Sequence, residues 1–161
     1  CTISGGAILR DRQHADFTNE IVHAAAHTTS GQLFKNVLDD RSRAVTQGRV
    51  VVKKDAQKIN AEQSNRNLLL SPGARADSKP ELRIFADDVK CSHGATVGDL
   101  DREAIFYLQS RGIPEDDARK LLIHAFAAEL LDQVASPVIR SYLEVALADR
   151  IGDSENIEVA A

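Results

Sequence analysis

Hydrophobic and polar positions change their rhythm once along this chain, near Gly98. Before it the apolar residues come in short runs: Val50-Val51-Val52, Leu68-Leu69-Leu70 and Leu82-Arg83-Ile84-Phe85. Runs of this length bounded by turn residues read as strands. Gln47-Gly48 before the first, Ser71-Pro72-Gly73 after the second and Lys79-Pro80 before the third are read as those turns. Polar strands such as Lys58-Ile59-Asn60-Ala61 lie between them. The runs recur at loosely similar intervals of roughly one to two dozen residues, in the range of solenoid repeats, with no strict period. No helical pattern separates them, which disfavours a doubly wound α/β sheet. A stacked parallel β-solenoid and a β-sandwich both fit, the solenoid slightly better.

After Gly98 the period becomes helical. Asp101 reads as an N-cap, with Glu103 in the first turn where the helix dipole favours an acid. Ala104, Ile105 and Leu108 form an apolar stripe, and Gly112 marks its stop. Pro114 opens a second helix, whose apolar positions run through Leu121, Leu122, Ala125 and Phe126 to Leu130 and Val134. Ser136-Pro137 repeats the signal, and Tyr142, Val145, Ala146 and Ile151 are placed in a third helix. The organisation expected is therefore a β part over 1–98, three helices over 99–152 and a polar tail over 153–161. Three short amphipathic helices cannot bury all their apolar surface against one another. The surplus covers the end of the β part or meets another protein.

Composition narrows the function classes. The 161 residues are 43% hydrophobic and 27% charged, enough for a core and for solubility. A net charge of −4 argues against a general nucleic-acid binder, which needs a basic face. No apolar stretch nears the ~20 residues that span a bilayer. The chain has no Met, so it reads as a processed protein or a piece of a longer one, the second being favoured. Two cysteines, Cys1 and Cys91, make no disulfide framework and point to a reducing compartment.

Candidate chemistry centres on Cys91 and His93. Residues i and i+2 of a strand share a face, about 6–7 Å apart. A thiolate and an imidazole so placed can both ligate iron or zinc. Two ligands fall short of the usual four, and spacing alone favours a packed Cys91 and a surface His93 over a shared site. His23 and His27 are four apart, and with His14 and His124 they are read as structural. Asn65-Arg66-Asn67 is read as an Asn turn or ladder in a solenoid. Asp87-Asp88 is read as a turn or sheet edge, because strand neighbours face opposite ways. No nucleophile elbow or phosphate-binding glycine loop occurs. A carbohydrate-active β-helix enzyme is disfavoured by 4% aromatic content and the lack of Trp.

Several blocks are recognisable together. Arg43-Ala44-Val45, Gly48 to Val52, Ala56-Gln57-Lys58 and Gln63 to Leu70 resemble the SufB/SufD family of the SUF iron–sulfur cluster assembly system. So do Ala86 to Gly98, Leu100-Asp101 and Phe106 to Ile113. Lys90-Cys91-Ser92-His93-Gly94-Ala95-Thr96 is similar to the SufD branch. The resemblance implies a partial right-handed parallel β-helix followed by a helical domain, and a non-enzymatic scaffold. It implies partnership with SufB and the ATPase SufC, in the bacterial cytoplasm or the plastid stroma. SufC docking falls to the helical domain, with Phe106, Tyr107, Leu108, Leu121 and Leu122 as the expected contacts. The histidine matching His93 is implicated in cluster assembly at the SufB–SufD contact, with a cysteine from SufB. The resemblance implies no permanently held cofactor but a nascent iron–sulfur cluster held transiently and shared with SufB, with Cys91 a candidate second ligand. The chain is shorter than a whole SufD, as if an N-terminal domain and some rungs were missing. A structural adaptor without metal chemistry is the alternative. An unpaired solenoid edge also predicts a homodimer when SufB is absent.

Overall fold

The computed structural model describes residues 1–152; the expected tail at 153–161 lies outside the described residues. Two units are distinguished, Cys1–Gly98 and Asp99 onward. The first is built from seven strands: β1 (Thr2–Leu9), β2 (His14–His23), β3 (Thr29–Leu38), β4 (Arg43–Val52), β5 (Ile59–Leu69), β6 (Arg75–Ile84) and β7 (Val89–Gly98). Odd strands form one parallel sheet in the order β1-β3-β5-β7, and even strands form another, β2-β4-β6. Successive strands thus alternate between two sheets, and the chain winds as a parallel β-solenoid.

The repeat is a whole rung of two strands, about twice the spacing of the apolar runs. Register partners in the odd sheet are 29, 31 and 30 positions apart, as in Thr2 with Gly31, Thr29 with Asn60 and Ile59 with Val89. In the even sheet they are 29 and 32 apart, as in His14 with Arg43 and Arg43 with Arg75. Loops absorb the difference, which hides the period from a sequence reading.

Turn chemistry is where the two expected turns inside strands fail. Gln47-Gly48 and Lys79-Pro80 are not turns. They lie mid-strand in β4 and β6 and are register partners. A Cβ at Gly48 would stand 2.8 Å from Oε1 of Gln32 across the interior, so close approach accounts for the glycine. Pro80 is tolerated because β6 is an edge strand among the described residues, so one side has no ladder bond to lose. The real turns use other residues. Asp11 and Asp40, one rung apart, have φ of 55° and 53°, which Asp tolerates through local hydrogen bonds. The Asp11 N–H donates to Oδ2 of Asp40 at 2.9 Å, tying one corner to the next. Ser71-Pro72-Gly73 does form the next turn of that corner, as expected.

The interior is apolar at both ends of the strands and polar between. Ile21, Val50, Val52, Ala56, Ile59, Ala61 and Ala86 make one cluster, with Ile3, Leu82, Val89 and Cys91 against it. Leu38, Ala44 and Ala74 make the other, with Leu9, Leu69 and Ala76. Between them Phe17 and Phe34 pack with centroids 5.5 Å apart. The rest of the middle is amides and hydroxyls. Asn65 and Asn67 of β5 belong to it, as the ladder reading expects: Asn36 Nδ2 donates to Oδ1 of Asn67 at 2.8 Å. Repeating Asn at one inward position pairs buried amides rung to rung, which satisfies them.

The second unit contains α1 (Arg102–Ser110), α2 (Glu115–Ala128), a short 3-10 turn (Leu131–Gln133) and α3 (Pro137–Ile151). Asp101 caps α1, accepting from the N–H of Glu103 and Ala104 at 2.9 and 3.3 Å. Gly112, with φ of 87°, ends that helix. Pro114 stands at the N-cap of α2, one residue earlier than a first-turn proline, and Ser136-Pro137 opens α3 as read. The second helix stops at Ala128, so Leu130 and Val134 lie beyond it. Tyr142, Val145, Ala146 and Ile151 all lie in α3, as expected. Ala148 and Ile151 are buried and Leu143 and Leu147 half-buried, whereas Tyr142, Val145 and Ala146 are exposed.

Candidate functional site

Strand β7 closes the described solenoid at one end. It pairs with β5 alone, so one of its edges has no partner strand among the described residues. Its register sets Cys91 beside Ala61 and His93 beside Gln63. Ala61 and Gln63 are buried at inward positions, 2% and 5% exposed, so Cys91 and His93 extend the same inward rows. The period of two in a strand makes the pair share that face.

The two side chains meet different surroundings. Cys91 is half-buried against the Ile59–Ala61 cluster. Burial pushes its thiol pKa up, with the backbone of Ala61 partly opposing. His93 is exposed, as are Ala95 and Val97 further along the row. Val97 is 55% exposed, a large value for an inward position. One partly buried thiol and one open imidazole are suited to soft or borderline metal ions. No third His, Cys, Asp or Glu joins them: among the described residues no group of three such side chains could hold a metal ion. Cys91 and His93 therefore stand as a pair without a third such side chain among the described residues.

The other four histidines lie in different surroundings. His23 ends β2, 4% exposed, with Nδ1 2.7 Å from Oγ1 of Thr28 and Nε2 2.9 Å from Oγ of Ser30. His27 is in the following turn with φ of 59°, so it shares no helical face with His23. His14 is exposed at the start of β2, and His124 is half-buried in α2. Asp87-Asp88 occupies the bend before β7. Of the helical residues singled out, Phe106, Tyr107 and Leu121 are exposed at 72%, 57% and 51%. Leu108 and Leu122 are half-buried. The reading missed Val138 and Ile139 at the start of α3, which are exposed at 79% and 54%. Adjacent β-branched residues right after a helix-opening Pro were the available signal.

Comparison with known proteins identifies the family. The profile of the SUF system FeS cluster assembly SufBD core domain matches residues 1–126. The chain is 50% identical over 127 residues to an iron–sulfur cluster assembly SufBD family protein of Synechocystis, covering 79% of this chain and 28% of that one. It is 43% identical over 129 residues to the iron–sulfur cluster assembly protein SufD of Escherichia coli, covering 80% and 30%. A chloroplastic Arabidopsis thaliana protein, ABCI7, is 41% identical over 131 residues, covering 81% and 28%. The chain thus spans less than a third of the length of these relatives. With a core-domain match over most of its residues and SufD relatives at this identity, the chain belongs to the SufB/SufD family of the SUF iron–sulfur cluster assembly system, on its SufD-like side.

Proposed function

We propose that this chain is part of a non-enzymatic scaffold subunit on which a nascent iron–sulfur cluster is built, with His93 and Cys91 lending ligands at a contact with a SufB-type partner. One observation carries the reading. A thiol and an imidazole share the inward face of the last described strand, and nothing else in the described chain completes their set. A strand edge without a neighbour recruits another strand, so the element that offers half a site is also the one built to receive a second polypeptide. The cluster is cargo; the residues here hold and orient it. His93 ligates as the neutral ring. Cys91 ligates as the thiolate, so its raised pKa makes ligation release a proton and strengthen as pH rises. The exposed Phe106, Tyr107 and Leu121, beside Leu108 and Leu122, are the proposed seat for the SufC ATPase. The compartment proposed is bacterial cytoplasm or plastid stroma; one relative is bacterial and another chloroplastic.

The test is His93→Ala in the full-length protein, co-expressed with SufB and SufC, with iron and acid-labile sulfide measured on the purified complex. Loss of most of the iron and sulfide with the complex still assembled is expected. Normal cluster content would refute the role of His93. Light scattering of the protein without SufB is expected to show a dimer through β7; a monomer at every concentration would refute self-pairing.

A further inference from the structure

The middle of the solenoid interior holds more hydrogen-bonding capacity than its own contacts use. Asn36, Asn65, Asn67, Thr46 and Ser78 are linked side chain to side chain. Other amide atoms beside those links have no such contact. Both polar atoms of Gln63, Nε2 of Gln32 and Nδ2 of Asn65 are shut from solvent without a protein partner. Gln32, Gln63 and Asn65 are only 5%, 5% and 7% exposed. A native core leaves few such groups unpaired, because each loses its hydration for nothing.

These residues border one common space. A cavity of about 20 Å³ is lined by Gln32, Gln63 and, across the lumen, Gly48.

 Asn65, Thr46 and Ser78 complete its polar wall. Gly48 makes the room: a Cβ there would lie 2.8 Å from Oε1 of Gln32 and 3.0 Å from Nε2 of Gln63. A space this size admits one water molecule, which needs about 10–15 Å³ and two to four polar partners. Amide N–H donors from three residues and the Gln63 carbonyl acceptor meet that need, and no charged side chain lines the space to favour an ion.

We propose that this cavity is a binding site for a resident water molecule, held by Gln63 together with Gln32 and Asn65 in the room left by Gly48. The site reaches the last described rung. Gly94 of β7 lines it, and Gln63 is the register partner of His93. The polar interior therefore continues up to the strand that carries the candidate ligands. This inference stands on core packing alone and does not depend on the proposed cluster chemistry.

A high-resolution crystal structure of the full-length protein tests it, together with NMR transfer from water to the Gln63 side-chain amide. One ordered water within hydrogen-bond distance of Gln63 and of Gln32 or Asn65 is expected, with a water–amide cross-peak. A dry cavity with these amides paired directly to one another would overturn the proposal. Gly48→Ala is expected to abolish both the density and the cross-peak and to lower Tm; retention of the water beside the new methyl would overturn it. Should that variant not fold, Gln63→Leu removes two of the partner atoms at similar volume. Loss of the water with the circular dichroism spectrum unchanged is expected there, and a fully occupied water in Gln63→Leu would overturn the assignment.

Discussion

Strands β5 and β7 are neighbours in one sheet, paired residue for residue, yet their inward rows differ completely. Along β5, Ile59, Ala61, Gln63, Asn65 and Asn67 are all no more than 7% exposed. Along β7, Val89 and Cys91 are half-buried and His93, Ala95 and Val97 are exposed. Strand geometry is the same in both. The difference is the number of adjacent rungs: β5 has β3 on one side and β7 on the other, while among the described residues β7 has β5 alone. In a solenoid each rung buries its neighbour, so an inward row without a following rung keeps its chemistry open. The lesson is that inward direction and burial are separate properties here, and the candidate ligands lie where they part.

The largest expected effect breaks the comparison at its buried side. Ile59→Ala should cost about 2–5 kcal/mol by emptying a packed position, whereas Val97→Ala should change stability by less than ~0.5 kcal/mol. Urea unfolding of both variants checks this, and equal losses would mean that the β7 row is covered in solution. Gly73→Ala comes next. A Cβ there would stand 2.5 Å from the backbone carbonyl oxygen of Asp40, so the corner that stacks one rung on the next must shift. A loss of about 1–3 kcal/mol is expected, as for other overpacked sites, read as a drop in Tm.

A smaller effect concerns pH. Burial holds His23 below its ordinary pKa of 6.5, so the unfolded chain takes up a proton more readily than the folded one. The stability tied to the neutral ring is complete above about pH 6.5. It is lost as pH falls through the lower folded value. Unfolding measured across that window should show a slope that His23→Gln flattens; an unchanged slope would assign it to other groups. The smallest effect is on the outer face. Arg43 pairs with Asp77 at 2.7 Å, with both side chains more than half exposed. Arg43→Ala should cost about 0.5 kcal/mol or less, and a larger loss would show that the outer ladder holds the rungs together.

Local chemistry was the legible part of the chain. Asp101, Gly112 and Ser136-Pro137 each act within a few residues, so the caps and helix breaks can be read directly. The inward Asn ladder was legible for the same reason, since Asn65 and Asn67 repeat at strand spacing within one run. Gly48 and Pro80 misled because both carry turn chemistry by type, while their reasons for being there are a glutamine across the lumen and an unpaired sheet edge. Which side of α3 is buried was not legible, because apolar residues occur around much of that helix and only packing selects the side.

From its residues alone the chain determined a switch from strand to helix near Gly98, and the face shared by Cys91 and His93. Both follow from short-range geometry, a period of two in one case and 3.6 in the other. Tertiary structure decided the winding of 29 to 32 residues per rung, the polar middle of the interior and the openness of the β7 row. Those depend on which residues some thirty positions apart become neighbours. That choice is made by packing across the lumen, and no local pattern records it.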